Sequence, residues 1–200
     1  LPIWNHDEDY LVVSNGAGDM SWYTAGGRLH HHIQTPYCWK RLFALNSDFP
    51  FLFAVGSLEA TGNEWLAAFD VEGVMRWQYE LAAHTSCLPA VGLWDSDKEP
   101  LIFVSVDSGA LECIKADTGE RLAIHATESG GNVRFLAVPN LNVAGLMNIY
   151  MADKEHLTKL SLRHSLEEGW NFVRNWQIPI REITAVKASP VGESVVAGLS

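Results

Sequence analysis

Short apolar runs separated by turn residues fill this chain, and the clearest sample lies between Leu88 and His125. Leu88 to Trp94 is apolar, Asp95-Ser96-Asp97-Lys98-Glu99-Pro100 is polar, and Leu101 to Val106 is apolar again. Asp107-Ser108-Gly109, Ala110 to Ala116, Asp117-Thr118-Gly119 and Glu120 to His125 follow. Asp-Ser-Gly and Asp-Thr-Gly are hairpin chemistry, because Gly accepts positive φ and Asp bonds the backbone just ahead of it. Four short strands joined by three tight turns make an antiparallel meander. No helix is predicted.

The meander repeats. Gly27, Gly73, Gly119 and Gly169, each in the last hairpin of its copy, are spaced 46, 46 and 50 residues apart. Second strands centre on Val12, Leu52, Ile102, Ile149 and Val195, spaced 40, 50, 47 and 46. First strands are predicted at Leu1 to Trp4, Arg41 to Leu45, Leu88 to Trp94, Val133 to Pro139 and Ile183 to Ala188. Third strands are predicted at Met20 to Thr24, Trp65 to Asp70, Leu111 to Ala116 and Leu157 to Leu162.

A four-stranded unit with a period in the forties is the mark of a β-propeller blade, which needs neighbours to cover both its faces. The expected fold is therefore all-β: a single propeller region with blades near 1–34, 41–80, 88–126 and 133–178 and a partial blade at 183–200. The fifth copy stops after its second strand, which predicts a fragment of a larger propeller with apolar first and last faces.

Composition narrows the partners. The chain has 200 residues, 48% hydrophobic and 19% charged, enough for a sizeable core. Its 24 acidic and 14 basic residues give a formal charge of −10, which repels a phosphate backbone, and no basic stripe interrupts it. Nucleic acid is excluded as an expected partner. No apolar run reaches the roughly 18 to 20 residues that span a bilayer, so no membrane span is expected. Cys38, Cys87 and Cys113 lack any C-x-x-C pairing and read as buried free thiols.

Two motif sets carry a family resemblance. Asn5-His6-Asp7-Glu8-Asp9, Asn46-Ser47-Asp48, Asp95-Ser96-Asp97-Lys98-Glu99 and Asn140-Leu141-Asn142-Val143-Ala144-Gly145 precede apolar strands, and they resemble worn loops of the FG-GAP (VCBS, integrin-α-like) repeat. Asp107-Ser108-Gly109-Ala110-Leu111 through Ala116-Asp117-Thr118-Gly119, and Leu66 through Trp77, are similar to the quinoprotein-type (PQQ-like) repeat. The first resemblance implies calcium, and both imply a propeller of a mostly extracytoplasmic kind, which points to an extracellular or periplasmic location.

Calcium takes six to eight closely spaced oxygens. Asp95, Asp97 and Glu99 offer three carboxylates, although Lys98 stands where the repeat has Gly or Asp. His30 and His32 share a face of their strand, but two imidazoles do not complete a metal site. Trp77 and Trp176 end fourth strands and are expected to pack between blades, whereas Trp22, Trp39 and Trp94 fit the repeat less regularly and are the candidates for stacking against a partner. No Gly-x-Ser-x-Gly elbow, His-Glu-x-x-His, phosphate-cradling loop or acid/base pair is present, so no catalytic residue is assigned. The expectation is a non-enzymatic scaffold that binds a protein or glycan through its loops or axial funnel. The alternative is the propeller part of a secreted or periplasmic enzyme, lyase-like or quinoprotein-like, with its active residues outside this segment.

Overall fold

The computed structural model describes residues 2–4, 9–44, 51–94, 99–127, 133–139, 145–180, 183–188 and 195–199. Every regular element among them is a β-strand. The first sheet contains β1 (Pro2–Trp4), β2 (Asp9–Ser14), β3 (Asp19–Thr24) and β4 (Leu29–Gln34), and the second contains β5 (Tyr37–Ala44), β6 (Leu52–Leu58), β7 (Glu64–Phe69) and β8 (Met75–Glu80). The third contains β9 (Ala90–Trp94), β10 (Glu99–Val106), β11 (Ala110–Lys115) and β12 (Arg121–Ala126). The fourth contains β13 (Phe135–Ala137), β14 (Leu146–Ala152), β15 (His156–Ser165) and β16 (Gly169–Pro179), and β17 (Ile183–Ala188) pairs with β18 (Val195–Leu199). Four antiparallel blades and the opening of a fifth are therefore present. Two compact units divide them, Leu1–Ala82 with the first two sheets and Ala83–Ser200 with the rest.

The turns form for the reason their residues suggest. Gly27, Gly73, Gly119 and Gly169 hold φ of 78°, 74°, 74° and 68°, a region that side chains with a Cβ rarely enter. At the second blade, Val74 N–H donates to Asp70 Oδ1 at 2.8 Å and Gly73 N–H donates to the Asp70 carbonyl at 3.1 Å, which closes the hairpin. Arg76 Nη2 lies 2.5 Å from Asp70 Oδ2 and neutralises that buried carboxylate.

Burial follows strand position. Leu52–Gly56 of β6, Leu101–Val106 of β10 and Ala110–Ile114 of β11 are buried at every residue, so both faces of these inner strands are covered. The fourth strand β8 instead alternates half-buried and exposed positions, as an outer strand with one wet face should. All four fourth strands also carry a bulge, at His30, Arg76, Leu122 and Asn175, where one extra residue opposes the third strand. A bulge bends and twists an edge strand, which spoils it as a template for pairing with other chains. Nothing in the repeat spacing announces this device.

In the first unit, Tyr10, Val12, Met20 and Trp22 of the first sheet pack against Trp39, Leu52, Ala54, Ala67 and Phe69 of the second. The Trp22 and Trp39 rings meet Phe69 edge-on, at centroid distances of 6.5 and 5.5 Å. Thr35, in the connection between the blades, ties them together: its N–H donates to the Gly18 carbonyl at 3.0 Å and its Oγ1 accepts from Trp39 Nε1 at 2.8 Å. On the opposite face of β2, Leu11 and Val13 are 50% and 47% exposed. β5 begins at Tyr37, earlier than the predicted Arg41, because Lys40 bulges and carries the strand through it: Trp39 pairs with Gly56, then Arg41 with Val55.

In the second unit, Leu101, Phe103, Leu111 and Cys113 pack against Met147, Ile149, Leu160 and Leu162. Ala152 and Leu157 then meet Ile183, with Trp176 alongside. Cys38, Cys87 and Cys113 are all free thiols, and burial pushes the Cys113 thiol well above the ordinary range, with Glu99 adding to it. Only a thiolate reacts. In the native protein Cys87 and Cys113 are accordingly expected to resist a thiol-titrating disulfide reagent while half-buried Cys38 reacts slowly, with all three reacting once denaturant is added; rapid native labelling of Cys113 would contradict this packing.

Candidate partner-binding surface

In an antiparallel meander the first-to-second and third-to-fourth connections leave from the same end of the sheet. In the third blade this end holds Trp94, Glu99 and the Asp117-Thr118-Gly119 turn, and in the fourth it holds Ala137, Leu146 and the turn at 166–168. Trp94 is the last residue of β9, and Trp170 is the second residue of β16. Their ring centroids are 4.7 Å apart at an interplanar angle of 66°, so the two blades meet through an edge-on aromatic pair at this end. His164, the cross-strand partner of Trp170, lies against it with centroids 4.8 Å apart. Two residues further along the same face of β16, Phe172 lies against buried Phe103 at 6.4 Å and His125 of β12 at 6.0 Å. A continuous aromatic seam thus runs from the core to the surface.

This seam braces an unusual hairpin. The third strands β3, β7 and β11 have six residues each, whereas β15 has ten and its partner β16 eleven. β14 supports β15 only as far as the Leu146↔Arg163 pair, and His164 and Ser165 continue past it. In the other blades the third strand ends level with its neighbour or short of it, at Tyr10↔Thr24, Leu52↔Phe69 and Leu101↔Lys115. The tip is locked internally, with Glu168 N–H donating to Ser165 Oγ at 3.0 Å and Asn171 Nδ2 donating to Glu168 Oε2 at 2.8 Å.

The candidate residues fall into three groups. Trp22 and Trp39 are 0% and 2% exposed and fill the interior of the first unit, where a partner has no free ring face to stack on. Trp94 is half-buried and belongs to the seam, together with Trp170 and His164, which motif reading did not single out. The available signal was the Gly119-to-Gly169 spacing of 50 where the two earlier intervals are 46. Of the calcium candidates, Asp95 and Asp97 lie outside the described residues, as do residues 5–8, 46–48 and 140–144 of the other resembling loops. Glu99 is described: Lys115 Nζ sits 2.7 Å from its Oε1 and 3.9 Å from Asp117 Oδ2. The Glu99 hydrogen bond, reinforced by Asp117 and Glu120, raises the Lys115 ammonium above its usual range. A cation would have to displace that ammonium. Among the described residues no three His, Cys, Asp or Glu side chains are placed to share a metal.

The three neighbouring imidazoles separate. His30 lies against Tyr10 at 4.7 Å and His31 against Trp22 at 5.8 Å, while His32 Nδ1 is 3.0 Å from Ser21 Oγ and its Nε2 is 3.7 Å from Asp19 Oδ1. Among the described residues no helix is long and apolar enough to cross a membrane.

No protein-family model matches the sequence, and no curated protein matches it either. Solved structures do. KlHsv2 with loop 6CD replaced by a Gly-Ser linker aligns at a TM-score of 0.63 and 11% identity, over 88% of this chain and 57% of that one. A chain of the mitotic checkpoint complex aligns at 0.61 and 14%, over 100% and 60%. BBS1N in complex with ARL6DN, soaked with mercury, aligns at 0.64 and 8%, over 98% and 60%. These are β-propeller proteins, and at such identities the likeness establishes the fold alone. The chain spans about 60% of the length of the solved chains it matches.

Proposed function

We propose that this chain belongs to a non-enzymatic propeller scaffold whose protein partner docks on the end of the second unit that carries Trp94, Trp170 and the β15–β16 hairpin. The observation behind this reading is a departure from an otherwise even repeat: one third-to-fourth-strand hairpin outruns its sheet and is stiffened by an aromatic seam. Two of the structurally similar propellers, BBS1N with ARL6DN and the checkpoint-complex chain, are themselves held in protein complexes, which supports a protein over other ligands. Shape supports it as well, since small-ligand sites are concave and this feature is a projection. The kind of repeat, integrin-α-like or quinoprotein-type, is supported by its turn residues only.

Affinity capture with the wild-type chain and with a Trp94→Ala/Trp170→Ala double variant tests the reading. A protein retained by the first and lost by the second, with β-sheet circular dichroism intact in both, is the expected result. Equal retention by both would move the docking surface elsewhere, and binding confined to a glycan array would replace the protein partner with a sugar.

A further inference from the structure

We propose that Leu166 is an apolar anchor that this chain inserts into a pocket of its protein partner, and that basic side chains of the partner rim that pocket. The inference rests on the protein-docking reading above and names what the partner must look like. Leu166 is 101% exposed, while the other exposed large apolar residues among the described ones, such as Leu11, Val74 and Leu88, range from 43% to 58%. A leucine held fully in water gains nothing for the fold, and neither strand pairing nor the turn requires it: three residues before the turn glycine, where the fourth blade has Leu166, the first three blades have Thr24, Asp70 and Ala116.

Its presentation suits insertion. The two residues of β15 beyond the Arg163 pair carry the turn about 7 Å past the last pair with β14. Ser165 Oγ, Asn171 Nδ2 and the positive φ of Gly169 fix the turn, and His164 and Trp94 on either side of Trp170 fix its stem. A knob already held in one shape loses little conformational freedom on docking. Glu167 and Glu168, both exposed, follow Leu166 directly, on a chain whose formal charge is −10. Arg163 lies on the stem rather than at the tip. The complementary surface is therefore an apolar socket edged with Lys or Arg, and the two carboxylates would oppose insertion into an anionic lipid surface.

A photo-crosslinking residue placed at position 166, and at exposed position 118 as the control turn, tests this on the full chain. The expected result is a protein adduct from 166 and none from 118. The crosslinked protein, identified and purified, should then bind Leu166→Ala about ten- to a hundredfold more weakly than wild type. Glu167→Lys should also weaken binding and flatten its dependence on salt. Both sites are on the surface, so thermal unfolding should be unchanged. No adduct at 166, or an adduct whose protein binds Leu166→Ala as tightly as wild type, overturns the anchor. If that same protein is lost by Trp94→Ala/Trp170→Ala, the docking reading survives without the anchor. Leu166-dependent binding to neutral phosphatidylcholine vesicles with no protein adduct would overturn both in favour of a lipid surface.

Discussion

Trp22→Ala is expected to destabilise the first unit by about 3–5 kcal/mol, the range for deleting a buried Trp or Phe ring. Trp22 is fully buried, faces Phe69 and His31, and shares its cluster with Tyr10, Val12, Met20 and Trp39. Surrounding strands cannot collapse into the space, because Val12 and Trp22 are fixed opposite each other in the β2–β3 ladder. Whole domains hold only about 5–15 kcal/mol in total, so the loss is a large share of what keeps these two sheets folded. Urea denaturation followed by circular dichroism measures it. A shift below about 1 kcal/mol would mean that the ring is not part of the core and would return Trp22 to the binding candidates.

Gly56→Val should be nearly as damaging, and for the opposite reason. A Cβ at residue 56 would lie 2.6 Å from the Cys38 carbonyl oxygen, 2.7 Å from Trp39 Cε3 and 2.8 Å from Trp39 Cα. Two of those three atoms are backbone, held where Lys40 bulges from β5, so no rotamer change relieves the contact. Over-packing in a tight interior costs about 1–3 kcal/mol, and Val adds two methyl groups beyond the Cβ. Gly16→Ala provides the comparison: it has positive φ but nothing within 4 Å of the added carbon, so it isolates backbone strain from collision. The melting temperature of Gly56→Val should fall well below that of Gly16→Ala. Similar values for the two would show that the β5–β6 bulge readily adjusts.

The blade pattern was legible because turn chemistry and strand length are local. Gly27, Gly73, Gly119 and Gly169 each mark a hairpin whose residues lie within a few positions of one another, and all four do adopt the left-handed conformation. The bulges at His30, Arg76, Leu122 and Asn175 were not legible, since a bulge is a mismatch between two strands and neither strand alone records it. The start of β5 was missed on the same ground, Lys40 being a charged residue that interrupts the alternation from Tyr37 to Phe43. Trp94 was singled out for irregularity, but its partner is 76 residues away at Trp170, and no spacing rule joins them. The wider Gly119-to-Gly169 interval did record an insertion. That it lengthens a hairpin instead of a loop required knowing where β14 stops.

The burial of β6 and β10 on both faces has a mechanical corollary. Strands sealed on both sides must lose two contacts at once to come free. Under a pulling force applied to the chain, each should therefore yield late and in a discrete step.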